Sequence, residues 1–288
     1  MFKKRRCSFY DLAITVVLVI VALVCFIPFI YVVGVSLTDT SVYVPYRLYI
    51  IPEKISLETY HYILSTSSFM NAMSNTVVVT IAGTVISILT TFTMAYALTK
   101  TGMPARKAFL SIVIFSLLFH AGLVPNFLNI KSLHLDNTLW ALILMRMTNP
   151  WSVLVAKTFM DGLPKELEES AALDGCNDLS TFVRIIMPLC TASVATLGLF
   201  FAVGYWNIYT DAILYITDSS KRTLQVLVKS LLVDNNTTGM GSVGADVTMP
   251  SETVRMATVV LAILPIMAVY PFLQRYFVKG ALLGSVKG

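Results

Sequence analysis

The amino-acid sequence predicts an all-α protein whose helices cross a membrane, and three observations lead to this fold class. Hydrophobic residues make up 56% of the 288 residues. Charged residues make up only 13%, whereas soluble domains contain about 25%. The mean hydropathy is +0.76, and the apolar residues are collected in runs that match the thickness of a bilayer. We therefore expect a single polytopic membrane domain over residues 1–288.

Six apolar runs reach the length of about 20 residues that a membrane-spanning helix needs. They cover residues 12–36, 74–98, 108–130, 138–160, 187–209 and 255–278. The first run is too long for the apolar part of a signal peptide, so we expect it to remain as a helix. The fourth run is the weakest, because it contains Arg146, Asn149 and Pro150. The fifth run is rich in alanine and glycine, which favours close packing of helices in lipid.

The distribution of lysine and arginine predicts the orientation of these runs. If the N-terminus is cytoplasmic, twelve basic residues lie in inside segments: Lys3, Lys4, Arg5, Arg6, Lys100, Arg106, Lys107, Lys165, Arg184, Arg275, Lys279 and Lys287. Six lie in outside segments: Arg47, Lys54, Lys131, Lys221, Arg222 and Lys229. Both termini are therefore expected in the cytoplasm. The net charge of +5 reflects these topology signals, so we expect no nucleic-acid partner.

The sequence offers no pattern for a metal site or for catalysis. Its four cysteines are interpreted as free thiols, because they form no CxxC pair and no metal-ligand spacing with the three histidines. Inside the apolar runs there are no paired acids, no Ser/Lys pair and no His/Glu metal spacing. An intramembrane enzyme is therefore disfavoured.

The polar segment 161–188 predicts two short helices joined by a turn. Acidic residues fill the first turn of the first helix, and Gly175 can take the left-handed conformation that ends it. Asn177 or Asp178 can cap the second helix. That helix carries an apolar periodicity at Leu179, Phe182, Val183 and Ile186, and Pro188 marks the entry into the fifth run.

The first of these helices has the form of a helix that enters a groove on a partner protein. Leu163, Leu167 and Ala171 line one side, while Glu168 and Glu169 are available to basic groups on the partner. The alternative is a plain interfacial loop that rests on the membrane. The acidic composition argues against that alternative, since helices on membrane surfaces are usually rich in Lys and Arg.

The same segment resembles a known signature. The run Glu169-Ser170-Ala171-Ala172-Leu173-Asp174-Gly175, followed by Ile185-Ile186-Met187-Pro188, resembles the "EAA" motif of ABC-importer permeases, E-A-A-x-x-x-G with a distal I-x-L-P. Ser170 and Met187 depart from it conservatively. The runs "VGYWN" (203–207) and "LPIMAVYPFLQRYFVKGALLGSVKG" (264–288) resemble the carbohydrate branch, on the side of the maltose importer's second, shorter permease, and "HAGLVPNFL" (120–128) adds weaker support.

This resemblance implies a type I ABC-importer permease fold with six transmembrane helices in a bacterial cell membrane. It also implies a heterodimer with a second, homologous permease, two cytoplasmic ATPase subunits that bind ATP and Mg, and an extracellular solute-binding protein that delivers the sugar. The chain itself is expected to bind no cofactor, and it contains no G-x-x-x-x-G-K-[ST] phosphate loop. The segment 161–188 becomes the ATPase-coupling loop, with Glu168, Glu169, Ala171, Ala172, Asp174, Gly175 and Pro188 as its site residues.

Four further residues are candidates for the substrate pathway. Arg146 lies at bilayer depth, where a charge must face protein or water; it is either a substrate ligand or part of a structural ion pair. Tyr205, Trp206 and Asn207 end the fifth run and suit a sugar, although an interfacial aromatic belt explains them equally well. The outer segments 37–73 and 210–253 are expected to dock the binding protein. A helix is predicted at 224–232, and 234–250 is expected to be mobile.

The function expected from the sequence is the membrane-spanning subunit of an ATP-driven importer of a carbohydrate, with an oligosaccharide favoured. A stand-alone secondary carrier is the main rival, and the absence of an inverted repeat and the presence of the EAA-like loop weigh against it. A membrane scaffold without transport activity is the second rival.

The predicted topology can be tested by labelling single cysteines introduced at Met103, Asn177, Ile50 and Asn236, after the native cysteines have been replaced by serine. A membrane-impermeant reagent applied from outside should label positions 50 and 236 and spare positions 103 and 177. External labelling at position 177 would overturn both the topology and the family resemblance.

Overall fold

A computed structural model describes residues 9–44, 47, 49–233 and 251–285. In these residues the regular structure is helical, and the β pairing consists of one isolated bridge between Thr38 and Ile55. The all-α fold class predicted from the sequence is confirmed. The helices are α1 Phe9–Ser36, α2 Glu58–Ser65, α3 Ser67–Thr99, α4 Arg106–Leu118, α5 Leu123–Ser132, α6 Leu139–Leu144, α7 Pro150–Asp161, α8 Glu166–Leu173, α9 Asp178–Thr181, α10 Met187–Leu189, α11 Thr191–Trp206, α12 Thr210–Tyr215, α13 Leu224–Val233 and α14 Ser251–Ser285. A π-helix covers Phe182–Ile186 and a 3₁₀-helix covers Ser219–Lys221.

Three of the described helices are long and apolar enough to cross a membrane, at Leu12–Ser36, Ser67–Thr99 and Glu252–Val269. A fourth span is obtained if Asp178–Leu189 and Thr191–Trp206, which meet at a bend of 82°, are counted as one. The count of six spans therefore stays a prediction.

The third and fourth apolar runs are each divided between two helices in the structure. The third run breaks at residues 119–122, where Gly122 adopts a φ of 88°. The fourth run breaks at residues 145–149. Asn149 caps the helix after this break, since its side-chain oxygen accepts the Trp151 N–H at 2.9 Å. Pro150 occupies the first helical position, where its missing N–H costs nothing.

Contacts divide the chain into two compact units, residues 1–67 with 228–263 and residues 68–227 with 264–288. The prediction of a single domain is not tested by this division. In the first unit, the apolar side chains of α1 from Leu12 to Ile27 are exposed, as expected of a helix that faces lipid. Near the end of α1, Gly34 lies against the backbone of Tyr49, where a Cβ atom would come within 2.2 Å of the Tyr49 carbonyl oxygen.

The core of the second unit is built around α3. The ring of Tyr205, from α11, packs directly over Gly83 and is 1% exposed. Its hydroxyl donates to the Ile143 carbonyl at 3.0 Å and lies 3.0 Å from the Ser87 Oγ. One buried side chain thereby joins α3, α6 and α11, and its polar atom is satisfied inside the protein, as a bilayer requires.

Other polar side chains of α3 hold irregular backbone in place. Thr90 donates to the Met147 carbonyl at 2.8 Å, inside the break of the fourth run. Thr76 accepts the Leu224 N–H at 2.8 Å, and Asn75 donates to the Ser220 carbonyl at 2.8 Å. These bonds satisfy backbone groups that a continuous helix would have satisfied itself.

The contact between Gly83 and Tyr205 predicts the effect of Gly83→Ala. The added Cβ would lie 2.6 Å from Tyr205 Cζ, so the ring or a helix must move. Overpacking of this kind costs about 1–3 kcal/mol, and the thermal unfolding midpoint of the purified protein should fall. Gly204→Ala, in α11, is the matched control, because a Cβ there meets no atom within 4 Å. Equal midpoints for the two variants would contradict the close approach of α3 and α11.

Candidate functional site

The first helix of the polar loop, α8, has one buried and one exposed side. Ala171 is buried, Leu163 and Leu167 are partly buried, and Leu163 packs against the core of the second unit. This apolar side therefore faces the protein itself, and entry of the helix into a groove on a partner stays a prediction. On the opposite side Glu169 is exposed and Leu173, one turn later, is 89% exposed.

The turn after α8 has the predicted left-handed glycine. Gly175 adopts a φ of 78°. The Gly175 N–H donates to the Ala172 carbonyl at 3.1 Å, and the Cys176 N–H donates to the Ala171 carbonyl at 2.9 Å, which together form a Schellman motif. A Cβ at position 175 meets no atom within 4 Å, so the backbone conformation, and not crowding, requires glycine there. The exposed Asp174 is the last residue before this turn.

Asn177 caps the second limb of the loop, as one of the two predicted alternatives. Its side-chain oxygen accepts the Ser180 N–H at 2.8 Å. From Asp178 the chain continues through α9, the π-helix and α10 to Leu189, and then bends by 82° into α11. The bend lies at Cys190, between α10 and α11, and the exposed Pro188 lies two residues before it.

The predicted apolar face of this second limb is only half correct. Phe182 and Ile186 are buried together with Thr181, whereas Leu179 is 70% exposed and Val183 is also exposed. The predicted face is based on the 3.6 residues per turn of an α-helix, but Phe182–Ile186 form a π-helix, which carries an additional residue per turn. The buried side is therefore not the one that the α-helical periodicity selects.

Glu168 already has a basic partner within the chain, and its contact with a partner subunit stays a prediction. Lys100, immediately after α3, places its Nζ 2.7 Å from the Glu168 Oε2 and 3.3 Å from the Asp178 Oδ1. The ammonium also lies 4.5 Å from the centroid of the Tyr96 ring. From the sequence, Lys100 is expected only as a topology signal. Its pairing with Glu168 is not predictable there, because the two residues are 68 positions apart.

Arg146 lies in the break between α6 and α7 and has an ionic partner in α12. Its Nε donates to the Asp211 Oδ2 at 2.6 Å, and its side chain is 43% exposed. The geometry provides the ion pair that was one of the two alternatives for this residue. Contact with a substrate stays a prediction.

Two of the three candidate residues at the end of α11 are buried within this chain, and contact of any of the three with a sugar stays a prediction. Tyr205 is buried and its hydroxyl is already hydrogen-bonded. Trp206 is 6% exposed and lines an apolar cavity of about 460 Å³ between α3, α11 and α14. Only Asn207 is exposed; its amide nitrogen donates to the Val203 carbonyl at 2.9 Å and its oxygen accepts from the Gln225 Nε2 at 3.2 Å. Because the Tyr205 and Trp206 rings are buried, the side-chain amide of Asn207 is the remaining exposed polar candidate for contact with a sugar.

The outer segment 210–233 contains the predicted helix, which is α13 Leu224–Val233. The prediction that residues 234–250 are mobile lies outside the described residues.

Comparisons with known proteins agree on one family. A family model described as "Binding-protein-dependent transport system inner membrane component" matches residues 103–282. The chain is 41% identical over 281 residues to "Polygalacturonan/rhamnogalacturonan transport system permease protein YtcP" of Bacillus subtilis (strain 168), which covers 97% of this chain and 98% of the relative. It is 40% identical over 269 residues to "Protein LplC" of the same organism, which covers 93% of this chain and 91% of the relative.

A solved structure is similar over the whole chain. It is described as "Crystal structure of a bacterial ABC transporter involved in the import of the acidic polysaccharide alginate". The identity is 29%, the TM-score is 0.87, and the match covers 96% of this chain and 99% of the other.

Proposed function

Because the chain belongs to the family of binding-protein-dependent transport system inner membrane components, we propose that it couples the passage of an oligosaccharide to ATP hydrolysis by partner subunits through the loop 161–188. Membership makes it the permease subunit of a carbohydrate ABC importer in a bacterial membrane. The coupling role of the loop, the subunits that bind it and the substrate class are the proposal.

One observation carries the coupling role, and that is the two-sided structure of α8. Ala171 fixes the helix to the protein, while Glu169 and the 89% exposed Leu173 point away from it. An exposed leucine beside an exposed carboxylate suits a partner groove with an apolar floor and a basic rim. Leu179 and Val183 are also exposed on the second limb and extend the apolar part of the loop.

The proposed partners are those that the family resemblance implies. Two cytoplasmic ATPase subunits bind ATP and Mg and supply the hydrolysis, so this chain is not the enzyme of the complex. A second, homologous permease completes the pathway, and a solute-binding protein delivers the sugar from outside. Both termini lie in the cytoplasm, on the same side as the loop 161–188.

The proposed substrate is an acidic oligosaccharide. The names of one relative and one similar structure contain polygalacturonan and the acidic polysaccharide alginate, which carry carboxylates on their sugar rings. Arg146 is 43% exposed, and within the described ranges Asp211 bonds only its Nε. We propose that the two terminal nitrogens of this partly exposed guanidinium bind a substrate carboxylate in the bidentate manner that arginine favours.

Glu169→Lys tests the coupling role. Glu169 is exposed, so the substitution should change the stability of the permease by no more than about 0.5 kcal/mol. Reversing the charge against a basic groove replaces attraction with repulsion and costs up to several kcal/mol of binding. The permease pair should therefore purify without its ATPases, or with ATPases that the loaded binding protein no longer stimulates.

Asp136→Lys is the matched control, since Asp136 is an exposed carboxylate that lies outside the loop 161–188 and outside the two segments expected to dock the binding protein. It should retain stimulated ATP hydrolysis. Normal transport by Glu169→Lys with the ATPases in place would show that the coupling role is assigned to the wrong residue. A wild-type permease that purifies without any ATPase would contradict the proposed function as a whole.

Arg146→Met and Asp211→Asn separate the two roles of the ion pair. If the guanidinium binds a substrate carboxylate, Arg146→Met should reduce uptake of an acidic oligosaccharide about tenfold, since hydrogen bonds to charged groups contribute about 1.5–3 kcal/mol. Uptake of the same oligosaccharide with its carboxylates methyl-esterified should fall much less. Asp211→Asn should preserve the preference for the acidic form, because it leaves the arginine charged. If Asp211→Asn lowers uptake as much as Arg146→Met does, the pair is structural.

A further inference from the structure

The end of α3 carries a cation over an aromatic ring. Lys100 directly follows the helix, and its ammonium lies 4.5 Å from the centroid of the Tyr96 ring, one turn earlier. Attraction between an ammonium and the face of a ring favours this position. The side chain is 29% exposed, so the ammonium is partly shielded from water. The contact with the Tyr96 ring therefore holds the ammonium beside the end of α3.

The same ammonium reaches both limbs of the loop 161–188. It contacts the Glu168 Oε2 of α8 at 2.7 Å and the Asp178 Oδ1 of α9 at 3.3 Å. These two carboxylates lie on opposite sides of the Gly175 turn. An ammonium has three donors and can serve both at once. One side chain thus joins the end of α3 to α8 and α9, although its partner in α8 lies 68 residues later in the sequence.

A ring contact supports the same connection. The Tyr96 and Phe182 ring centroids are 5.0 Å apart, and Phe182 belongs to the π-helix in the second limb. Burial of Phe182 and Ala171 adds apolar contact on both limbs. Ile186 belongs to the same core cluster as Phe182, and Leu163 and Met187 pack against it. These contacts are apolar, so the contacts of Lys100 with Glu168 and Asp178 are the ionic part of the attachment.

We propose that Lys100 is a positioning residue that makes the loop 161–188 move together with α3, so that displacement of the loop by the ATPase is passed to the membrane helices. This inference rests on the proposed function. Without the ammonium, the loop would be attached through its two chain ends and apolar contacts, about which a helical hairpin can tilt. With it, α8 and α9 are fixed to the end of a 33-residue helix.

The ammonium stays charged at every physiological pH. Burial by itself would lower the pKa of Lys100, but the hydrogen bonds with Glu168, Tyr96 and Asp178 outweigh it and raise the pKa well above its usual range. Lys100 therefore contributes a permanent positive charge to this connection.

The test is Lys100→Met in the complete importer, reconstituted with its ATPases and binding protein. The ATPases should remain bound, because Glu169 and Leu173 are unaffected. Stimulation of ATP hydrolysis by the loaded binding protein, and sugar transported per ATP, should fall at least about fivefold, the lower end of typical coupling between distant sites. Lys100→Arg should restore most of the coupling, since a guanidinium can also bond both carboxylates.

Lys157→Met is the matched control. Lys157 also forms an ion pair, with Asp161, but both residues belong to α7. Its loss removes a lysine and an ion pair without disconnecting two helices, so coupling should stay near the wild-type level. Glu168→Gln is a second variant, to be used if Lys100→Met does not assemble, and it should lower stimulation in the same direction.

The outcomes separate this inference from the proposed function. Wild-type stimulation by Lys100→Met or, where that variant does not assemble, by Glu168→Gln would overturn the role of Lys100 and leave the proposed function intact. An equal loss in Lys157→Met would also overturn it, since the effect would then follow from any lost ion pair. If the wild-type complex shows no stimulation by the binding protein, the proposed function itself fails.

Discussion

Backbone groups inside a bilayer find no water, so every break in a spanning helix must be satisfied by neighbouring protein. The organisation of the second unit depends on this constraint. The break at residues 145–149 is held by the Asn149 cap, by the Thr90 hydroxyl on the Met147 carbonyl and by the Tyr205 hydroxyl on the Ile143 carbonyl. Two of these three interactions involve α3 or a side chain packed on it. An unbroken α3 therefore makes the broken segments possible.

The same helix joins the two candidate sites. Thr90 bonds the residue next to Arg146, and Lys100 binds the loop 161–188. Ten residues separate these two contacts, which corresponds to roughly 15 Å along a helix. A continuous helix transmits displacement over such a distance because its hydrogen bonds hold its length. Arg146 lies in the break between α6 and α7, outside any helix. Through Thr90 and Lys100, α3 connects this break to the loop 161–188.

Local patterns were sufficient for much of this structure. Hydrophobic runs predicted the helical class, and turn chemistry predicted Gly175 and the Asn177 cap, because each depends on a few neighbouring residues. Interactions between distant segments were not predictable. The partner of Lys100 is 68 residues away and that of Arg146 is 65 residues away. The π-helix carries no sequence signal, so the apolar periodicity did not predict the exposure of Leu179 and Val183. For Tyr205 a sugar site and an aromatic belt were equal alternatives, and its packing on Gly83 was not predictable because it depends on the crossing of two helices.

The central claim is that the exposed side of α8 is seated in an ATPase subunit. The most direct measurement is photocrosslinking from a benzophenone amino acid placed at position 173, whose native leucine is 89% exposed. Position 51 provides the comparison, since Ile51 is 81% exposed in the predicted outer segment. If α8 is seated in the ATPase, an adduct with the ATPase subunit is expected from position 173 and none from position 51. Adducts from position 173 with lipid or with the solute-binding protein, and none with the ATPase, would contradict it.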